Sequence, residues 1–154
     1  MSSEKSPNLD NLAAVREDTA RFHELVESID GIVWELDLPD FRFTYVSPKA
    51  EQLLGYPISD WLHQEDFWQN HLHPDDREWA VSFCKTQTEA LQDHEFEYRI
   101  QANDGRWLWI RDLVSVVTEN NRPLKLRGVM IDVTRHKQNE MRLESANREL
   151  DAFV

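Results

Sequence analysis

The chain has 154 residues and a formal net charge of −12, from 17 lysines and arginines against 29 aspartates and glutamates. Nucleic acids and anionic membrane surfaces both attract basic side chains, so this charge argues against either one as a partner. A hydrophobic fraction of 40% predicts a folded domain, no apolar run is long enough for membrane insertion, and the single cysteine, Cys84, excludes an internal disulfide and favours the cytoplasm.

Residues 1–29 are predicted to form an N-terminal flanking helix. Apolar or small residues recur along it at steps of three and four, and Val15, Phe22 and Val26 belong to this stripe. Such a stripe can cover its own domain or pair with the same helix of a second subunit, and both alternatives stay open. The prediction adopted is a dimer helix.

Two strands joined by a tight turn are expected after the helix. Residues 32–38 and residues 41–46 both alternate apolar with polar side chains, as half-buried strands do. Pro39-Asp40 between them is a turn signal. The pair therefore predicts a β-hairpin.

The middle of the chain is predicted to be mainly helical. Ser47 as the N-cap residue and Pro48 at the first helical position open a short helix, which ends at Gly55. Residues 57–72 are aromatic and are expected to be irregular. A longer helix over residues 73–92 opens with His-Pro-Asp-Asp, whose carboxylates favour the positive end of a helix dipole.

Three further strands and a helix complete the predicted order. The strands are expected at residues 94–101, 106–118 and 124–134, and the Asn-Asp-Gly run in the first connection is a strong hairpin signal. Residues 136–154 contain neither glycine nor proline and predict a C-terminal signalling helix. That helix stops in the middle of a heptad, which suggests an input module for a further domain.

Apolar residues of this last helix follow the seam spacing of a coiled coil. Leu143, Ala146 and Leu150 lie at alternating steps of three and four. A seam of about two and a half heptads is too short to be firmly stable alone. We therefore predict a homodimer that uses both the N-terminal and the C-terminal helix. The two copies can be parallel or antiparallel.

Seven short motifs follow one another between residues 30 and 135. They are Tyr45-Val46-Ser47-Pro48, Leu54-Gly55-Tyr56, His73-Pro74-Asp75-Asp76-Arg77, Phe96-Glu97-Tyr98-Arg99, Asp104-Gly105-Arg106-Trp107, Trp109-Ile110-Arg111 and Gly128-Val129-Met130-Ile131-Asp132-Val133-Thr134. In this order they resemble the PAS sensor domain, in the version whose last three strands carry the PAC motif. The resemblance implies an α+β PAS fold, with a five-stranded antiparallel sheet, flanking short helices and a small apolar pocket.

The tail over residues 143–154 is also similar to the lead-in of the dimerisation and phosphoacceptor helix of sensor histidine kinases. The two resemblances imply a signal-sensing, dimerising module that regulates a downstream histidine kinase. The alternatives are a regulator of a diguanylate cyclase and a ligand-free protein-interaction or dimerisation domain. No nucleophile–base pair, paired carboxylates or repeated glycine loop occurs, so no catalytic site is predicted within this chain.

The resemblance implies a pocket, and three aromatic strand residues are its candidate lining: Trp34, Tyr45 and Trp109. Flavin is not expected, because the reactive cysteine motif of flavin-binding relatives is missing from residues 57–72. Haem-binding relatives use a histidine on the long helix, whereas residues 74–92 contain none. Haem or another small ligand stays open, no cofactor is expected, and the identity of any ligand is not predicted.

A run of histidines and aspartates at residues 71–76 superficially resembles the ligand motif of metallohydrolases. Two imidazoles and a carboxylate can hold zinc, but a catalytic site needs further ligands from elsewhere in the chain. The resemblance implies instead that His-Pro-Asp-Asp opens a helix. No metal site is predicted.

Arg111 and Asp132 lie on consecutive predicted strands, where cross-strand neighbours come close. The resemblance implies that these two residues pair where the sheet passes into the last helix, and that Thr134 completes a signal relay. A bidentate pair would fix direction as well as distance. The alternative is a surface ion pair worth about 0–1 kcal/mol.

Overall fold

The computed structural model describes residues 30–152, which contain five strands and five helices. The predicted N-terminal helix, with Val15, Phe22 and Val26, lies outside the described residues. In chain order the elements are β1 (Ile32–Asp37), β2 (Arg42–Val46), α1 (Lys49–Leu54), α2 (Ile58–His63), α3 (Phe67–His71), α4 (Pro74–Glu89), β3 (His94–Gln101), β4 (Trp107–Glu119), β5 (Arg122–Asp132) and α5 (Thr134–Ala152). None of these helices is long and apolar enough to cross a bilayer.

The five strands form one antiparallel sheet in the order β2-β1-β5-β4-β3, which confirms the predicted sheet. The two longest strands, β4 and β5, meet at a tight turn whose residues Asn120 and Asn121 both have positive φ. Asparagine tolerates this conformation better than most residues, and hairpin turns of this kind require it. Pairing of β1 with β5 brings the first hairpin beside the end of the domain.

The core lies between one face of the sheet and the short helices. On β4 the residues Leu108, Ile110, Asp112 and Val114 are buried while their neighbours along the strand are more exposed. Successive side chains of a strand point to opposite faces, so this alternation defines an inner and an outer face of the sheet. From the helices, the large aromatic side chains of α2 and α3 fill the space above the inner face.

Residues 57–72 are more regular than predicted, since they form the two short helices α2 and α3. Neither helix is long enough to be stable by itself, so tertiary packing has to supply the stability. The buried aromatic residues Trp61, Phe67 and Trp68 provide that packing. The same aromatic residues from which we predicted an irregular segment hold these helices in place.

The predicted N-cap of α1 is not formed, whereas α4 opens at the predicted His-Pro-Asp-Asp run. Ser47 does not cap α1, because its hydroxyl accepts a hydrogen bond from the Val33 backbone N–H at 2.9 Å and Pro48 occupies the cap position. Gly55 ends α1 in the left-handed conformation, as predicted. His73 caps α4, since its imidazole accepts the Asp75 backbone N–H at 3.1 Å.

Candidate functional site

A small cavity of about 20 Å³ lies in the core between the sheet and the helices. This volume has room for about one water molecule, whereas sites for small organic molecules measure about 300–1,000 Å³. One acidic residue stands among apolar neighbours on its wall. The wall consists of Trp34, Leu36, Phe41, Phe43, Trp68, Cys84, Phe96, Asp112, Val114, Leu126 and Met130.

Asp112 is the acidic residue, and only 2% of it is exposed. It faces inward on β4, opposite Met130 of β5. One carboxylate oxygen, Oδ1, accepts a hydrogen bond from the Trp34 indole at 3.1 Å, and Oδ2 accepts one from the Tyr98 hydroxyl at 2.8 Å. Burial raises the pKa of Asp112 to about 7, although both hydrogen bonds favour the ionised form.

Tyr98 and Cys84, two further titratable groups beside the cavity, are neutral near pH 7. Burial, followed by the nearby Asp112 carboxylate, holds the pKa of Tyr98 well above its usual value. Burial likewise raises the pKa of the Cys84 thiol to about 12, and the thiol lies 3.4 Å from His94 Nε2. The Trp68 indole lies close enough to Tyr98 to affect the pKa of its hydroxyl, yet outside hydrogen-bond geometry. Cys84 is therefore an unreactive structural thiol.

Of the three residues predicted to line a pocket, the cavity wall contains Trp34 alone. Trp109 alternates with the buried Leu108 and Ile110 and therefore lies on the outer face. Tyr45 lies opposite Glu35, because an irregularity in the pairing of β1 with β2 breaks the alternation of β2 at this point. The pocket prediction is corrected for Tyr45 and Trp109.

Gly128 allows Trp34 to reach the Asp112 carboxylate. It lies opposite Trp34 on the neighbouring strand β5. A Cβ at this position would lie 2.8 Å from Cζ2 of the Trp34 indole and would collide with the Leu113 carbonyl oxygen. Glycine is therefore required here by the close approach of the strand and the indole ring.

The start of α5 is hydrogen-bonded to the sheet at Trp109. The Trp109 carbonyl accepts the Val133 N–H at 2.9 Å, and the Trp109 N–H donates to the Thr134 hydroxyl oxygen at 2.9 Å. Asp132 Oδ1 accepts both the Thr134 N–H at 3.0 Å and the Thr134 hydroxyl at 2.5 Å. Backbone and side chain together fix the direction in which the helix leaves the sheet.

Lys137 adds a second attachment one turn along α5. Its Nζ lies 2.7 Å from Glu97 Oε2 on β3 and 5.4 Å from the centre of the Trp109 ring. The Glu97 carboxylate raises the pKa of Lys137. From residue 138 to residue 152 every side chain is exposed, including the predicted seam residues Leu143, Ala146 and Leu150. Leu143 and Leu150 are each 65% exposed.

The predicted pair of Arg111 with Asp132 is wrong. Arg111 lies opposite Ile131, and Asp132 lies opposite Ile110, so the two side chains are one position out of register. Because neighbouring positions face opposite sides of a sheet, they cannot meet. Arg111 instead pairs with Glu95 at 3.0 Å, and Asp132 turns back to Thr134.

Asp76 joins α4 to β3 through Arg99, a contact that the sequence did not indicate. Its Oδ2 accepts both the backbone N–H and Nε of Arg99 at 2.9 Å, and its Oδ1 accepts Nη2 at 2.8 Å. This arrangement lowers the pKa of Asp76 and raises that of Arg99. The Arg99 guanidinium also lies 5.1 Å from the Trp109 ring. Charged and aromatic groups thus connect α4 with the start of α5.

The cavity and its neighbours do not fit a large cofactor. Haem and flavin both need several hundred cubic ångströms, against the roughly 20 Å³ found here. Within residues 30–152, no three histidine, cysteine, aspartate or glutamate side chains are arranged to hold a metal ion. The Asp112 carboxyl is the one acidic group on the wall of the described cavity.

A family model described as the PAS fold matches residues 43–130, which is more than half of the chain. The chain is 39% identical to the N-terminal domain of a diguanylate cyclase with PAS/PAC sensor from Marinobacter aquaeolei, with a TM-score of 0.65 over 70% of this chain and 98% of that one. It is 26% identical to a sensory box histidine kinase/response regulator from Burkholderia thailandensis E264, with a TM-score of 0.71 over 86% of this chain and 98% of that one.

A curated relative extends this comparison to a longer protein. The chain is 26% identical over 134 residues to the sensor protein FixL of Bradyrhizobium diazoefficiens. The match covers 86% of this chain but 26% of FixL. The chain thus spans about a quarter of the length of this relative.

Proposed function

The chain belongs to the PAS family, and from this membership we propose that it is a sensing and dimerising module that relays a signal through α5 to an effector domain, in the first place a histidine kinase. The observation that carries the proposal is the change in exposure along α5. Its first turn is bonded to β4 and β3 through Thr134 and Lys137, and residues 138–152 are exposed.

A helix attached at one end can transmit a movement of the sheet. Displacement of β4 at Trp109 would move the Thr134 hydroxyl and the Val133 N–H with it. Thr134 and Asp132 therefore keep a relay role in this proposal, whereas Arg111 has no direct bond to the helix. The exposed leucines of α5 supply the apolar seam that a second copy would cover.

A histidine kinase and a diguanylate cyclase are both supported as the effector. The similarity to a histidine kinase/response regulator and to the sensor protein FixL favours the kinase. The 39% identity to the PAS/PAC region of a diguanylate cyclase supports the second candidate. The small cavity supports a third candidate function, in which the core is filled and the domain serves dimerisation or protein interaction without a ligand.

We place the module in the cytoplasm.

Fusions with graded junctions test the relay. Residues 1–154 are joined to the catalytic core of a histidine kinase with zero to seven extra residues at the junction. Because a coiled-coil seam repeats every seven residues, kinase activity should change with three or four added residues and return with seven. Activity that is independent of junction length would refute the relay. The same series on a diguanylate cyclase domain tests the second candidate.

A further inference from the structure

Asp112 is a buried carboxyl whose hydrogen-bond partners are both neutral. The Trp34 indole and the Tyr98 hydroxyl are its partners, and no ion pair to it is formed within residues 30–152. An ionised carboxylate in an apolar core is costly unless a cation or enough donors compensate for the lost water. The geometry therefore leaves the ionised and the neutral form of this carboxyl close in energy.

The groups that face Asp112 leave it as the one that changes charge near neutral pH. Tyr98 on β3 and Cys84 on α4 are the titratable neighbours, and burial raises the pKa of both. His94 Nε2 lies 3.4 Å from the Cys84 sulfur. From β1 and β5 the neighbours are Trp34 and Met130, which carry no charge.

We propose that Asp112 is a proton-binding site and that its occupancy is a signal that the domain passes to α5. This inference rests on the proposed sensing function and names its signal. On protonation the carboxylate takes one proton from solvent and becomes a neutral acid with one O–H. The cavity beside it has room for about one water molecule to carry that proton.

Protonation reverses one hydrogen bond in the core. In the ionised form, Tyr98 donates to Oδ2. When the new O–H on Oδ2 points towards Tyr98, the Tyr98 hydroxyl oxygen accepts it and the Tyr98 hydrogen turns away from the carboxyl. The Trp34 bond to Oδ1 can remain in both forms. The change therefore falls on the contact between β3 and β4.

The same strand carries the attachment of α5. Trp109 lies three residues before Asp112 on β4, and its backbone N–H and C=O bind Thr134 and Val133. A shift of β4 relative to β3 at Asp112 reaches these bonds along the strand. Core protonation and the position of the helix are thereby coupled through one element.

Carbon-13 NMR of the full chain, labelled at the aspartate carboxyl carbons, tests the proton site. One carboxyl should titrate near pH 7 and be absent from the Asp112→Asn spectrum, while ordinary aspartates titrate near pH 4. Asp37→Asn, an exposed position on β1, is the matched control and should keep the high midpoint. A wild-type chain in which no aspartate titrates above about pH 5.5 overturns the proposal.

A second variant covers the case in which Asp112→Asn fails to fold. Tyr98→Phe removes a donor to the ionised carboxylate, so the midpoint should rise by roughly one pH unit. Tyr45→Phe, a hydroxyl removed from the outer side of β2, is the matched control and should leave the midpoint unchanged. An unchanged midpoint in Tyr98→Phe overturns the assignment to Asp112.

Hydrogen exchange tests the coupling to α5. Protection factors of residues 134–140 should change several-fold across the NMR midpoint in the wild type and stay constant in Asp112→Asn. Constant protection in the wild type overturns the proton as the signal, even if kinase activity in the fusion series returns with seven added residues. A flat junction series together with proton-linked protection refutes the proposed function and leaves the proton linkage standing.

Discussion

Two buried aspartates, Asp76 and Asp112, have opposite electrostatic surroundings. Asp76 faces the Arg99 guanidinium, which holds its pKa below the usual range. Within residues 30–152 the hydrogen-bond partners of Asp112 are an indole and a hydroxyl, and burial raises its pKa to about 7. A carboxyl whose pKa is lowered by folding contributes stability above its unfolded pKa, and this contribution is lost as the pH falls. A carboxyl whose pKa is raised by folding contributes stability at low pH, which is lost as the pH rises through the folded pKa. Stability should therefore depend on pH in opposite senses at the two sites.

Removing the charge at Asp112 should flatten the decline of stability between pH 5 and pH 8. In that window the folded wild type binds a proton that the unfolded chain has released, so the free energy of unfolding falls as the pH rises towards 7. Asp112→Asn lacks this titrating group. The difference between the free energies of unfolding of the two proteins should therefore change by about 2–3 kcal/mol over the interval. Urea denaturation at both pH values measures the difference. A parallel decline in wild type and variant would contradict the assignment.

Asp76→Asn should destabilise the domain most at neutral pH. The variant leaves Arg99 with one acceptor fewer in a largely buried contact, at a cost of about 2–3 kcal/mol. In the wild type this contribution is present above about pH 4 and disappears as the pH falls through the lowered pKa of Asp76. The difference between the two proteins in urea denaturation should thus be smaller at pH 3 than at pH 7. Asp104→Asn removes an exposed partner of Arg106 and should change little at either pH.

At the scale of elements, the attachment of α5 depends on Lys137 as well as on the backbone. Lys137→Met keeps the apolar stem of the side chain and removes its contacts with Glu97 and with the Trp109 ring. We expect a loss of about 1 kcal/mol in local stability and faster amide exchange over residues 134–140. Arg148→Met breaks an exposed pair with Glu144 and serves as the control. Equal exchange at the helix start in both variants would rule out the attachment.

Most elements could be predicted from the sequence, but the short helices α2 and α3 and two relations between elements could not. Alternation gave the strands, and Gly55 gave the end of α1. The face on which Arg111 and Asp132 lie depends on a register difference of one residue, which no local pattern specifies. The irregularity that turns Tyr45 outward is likewise a property of the pairing with β1. Asp112 was open to prediction, because it continues the inward series of Leu108 and Ile110.

At the scale of the whole molecule, the exposed seam of α5 predicts a dimer that depends on two leucines. Leu143 and Leu150 are each 65% exposed within one copy, and burying a leucine contributes about 1.5–3 kcal/mol. Replacing both by lysine removes that gain and brings like charges together. The dissociation constant of the dimer should therefore rise at least about a hundredfold. Sedimentation equilibrium of the full chain measures this shift.

A charge-matched variant separates the seam from the added charge. Ser145→Lys with Ala152→Lys places the same two lysines on the side of α5 away from the seam. This variant should dimerise like the wild type, because its lysines stay in solvent. Since about two and a half heptads are marginal alone, deletion of residues 1–28 should also weaken the dimer. Undiminished dimerisation of the Leu143→Lys, Leu150→Lys chain would move the interface away from α5, and undiminished dimerisation of the deletion would leave α5 as its sole support.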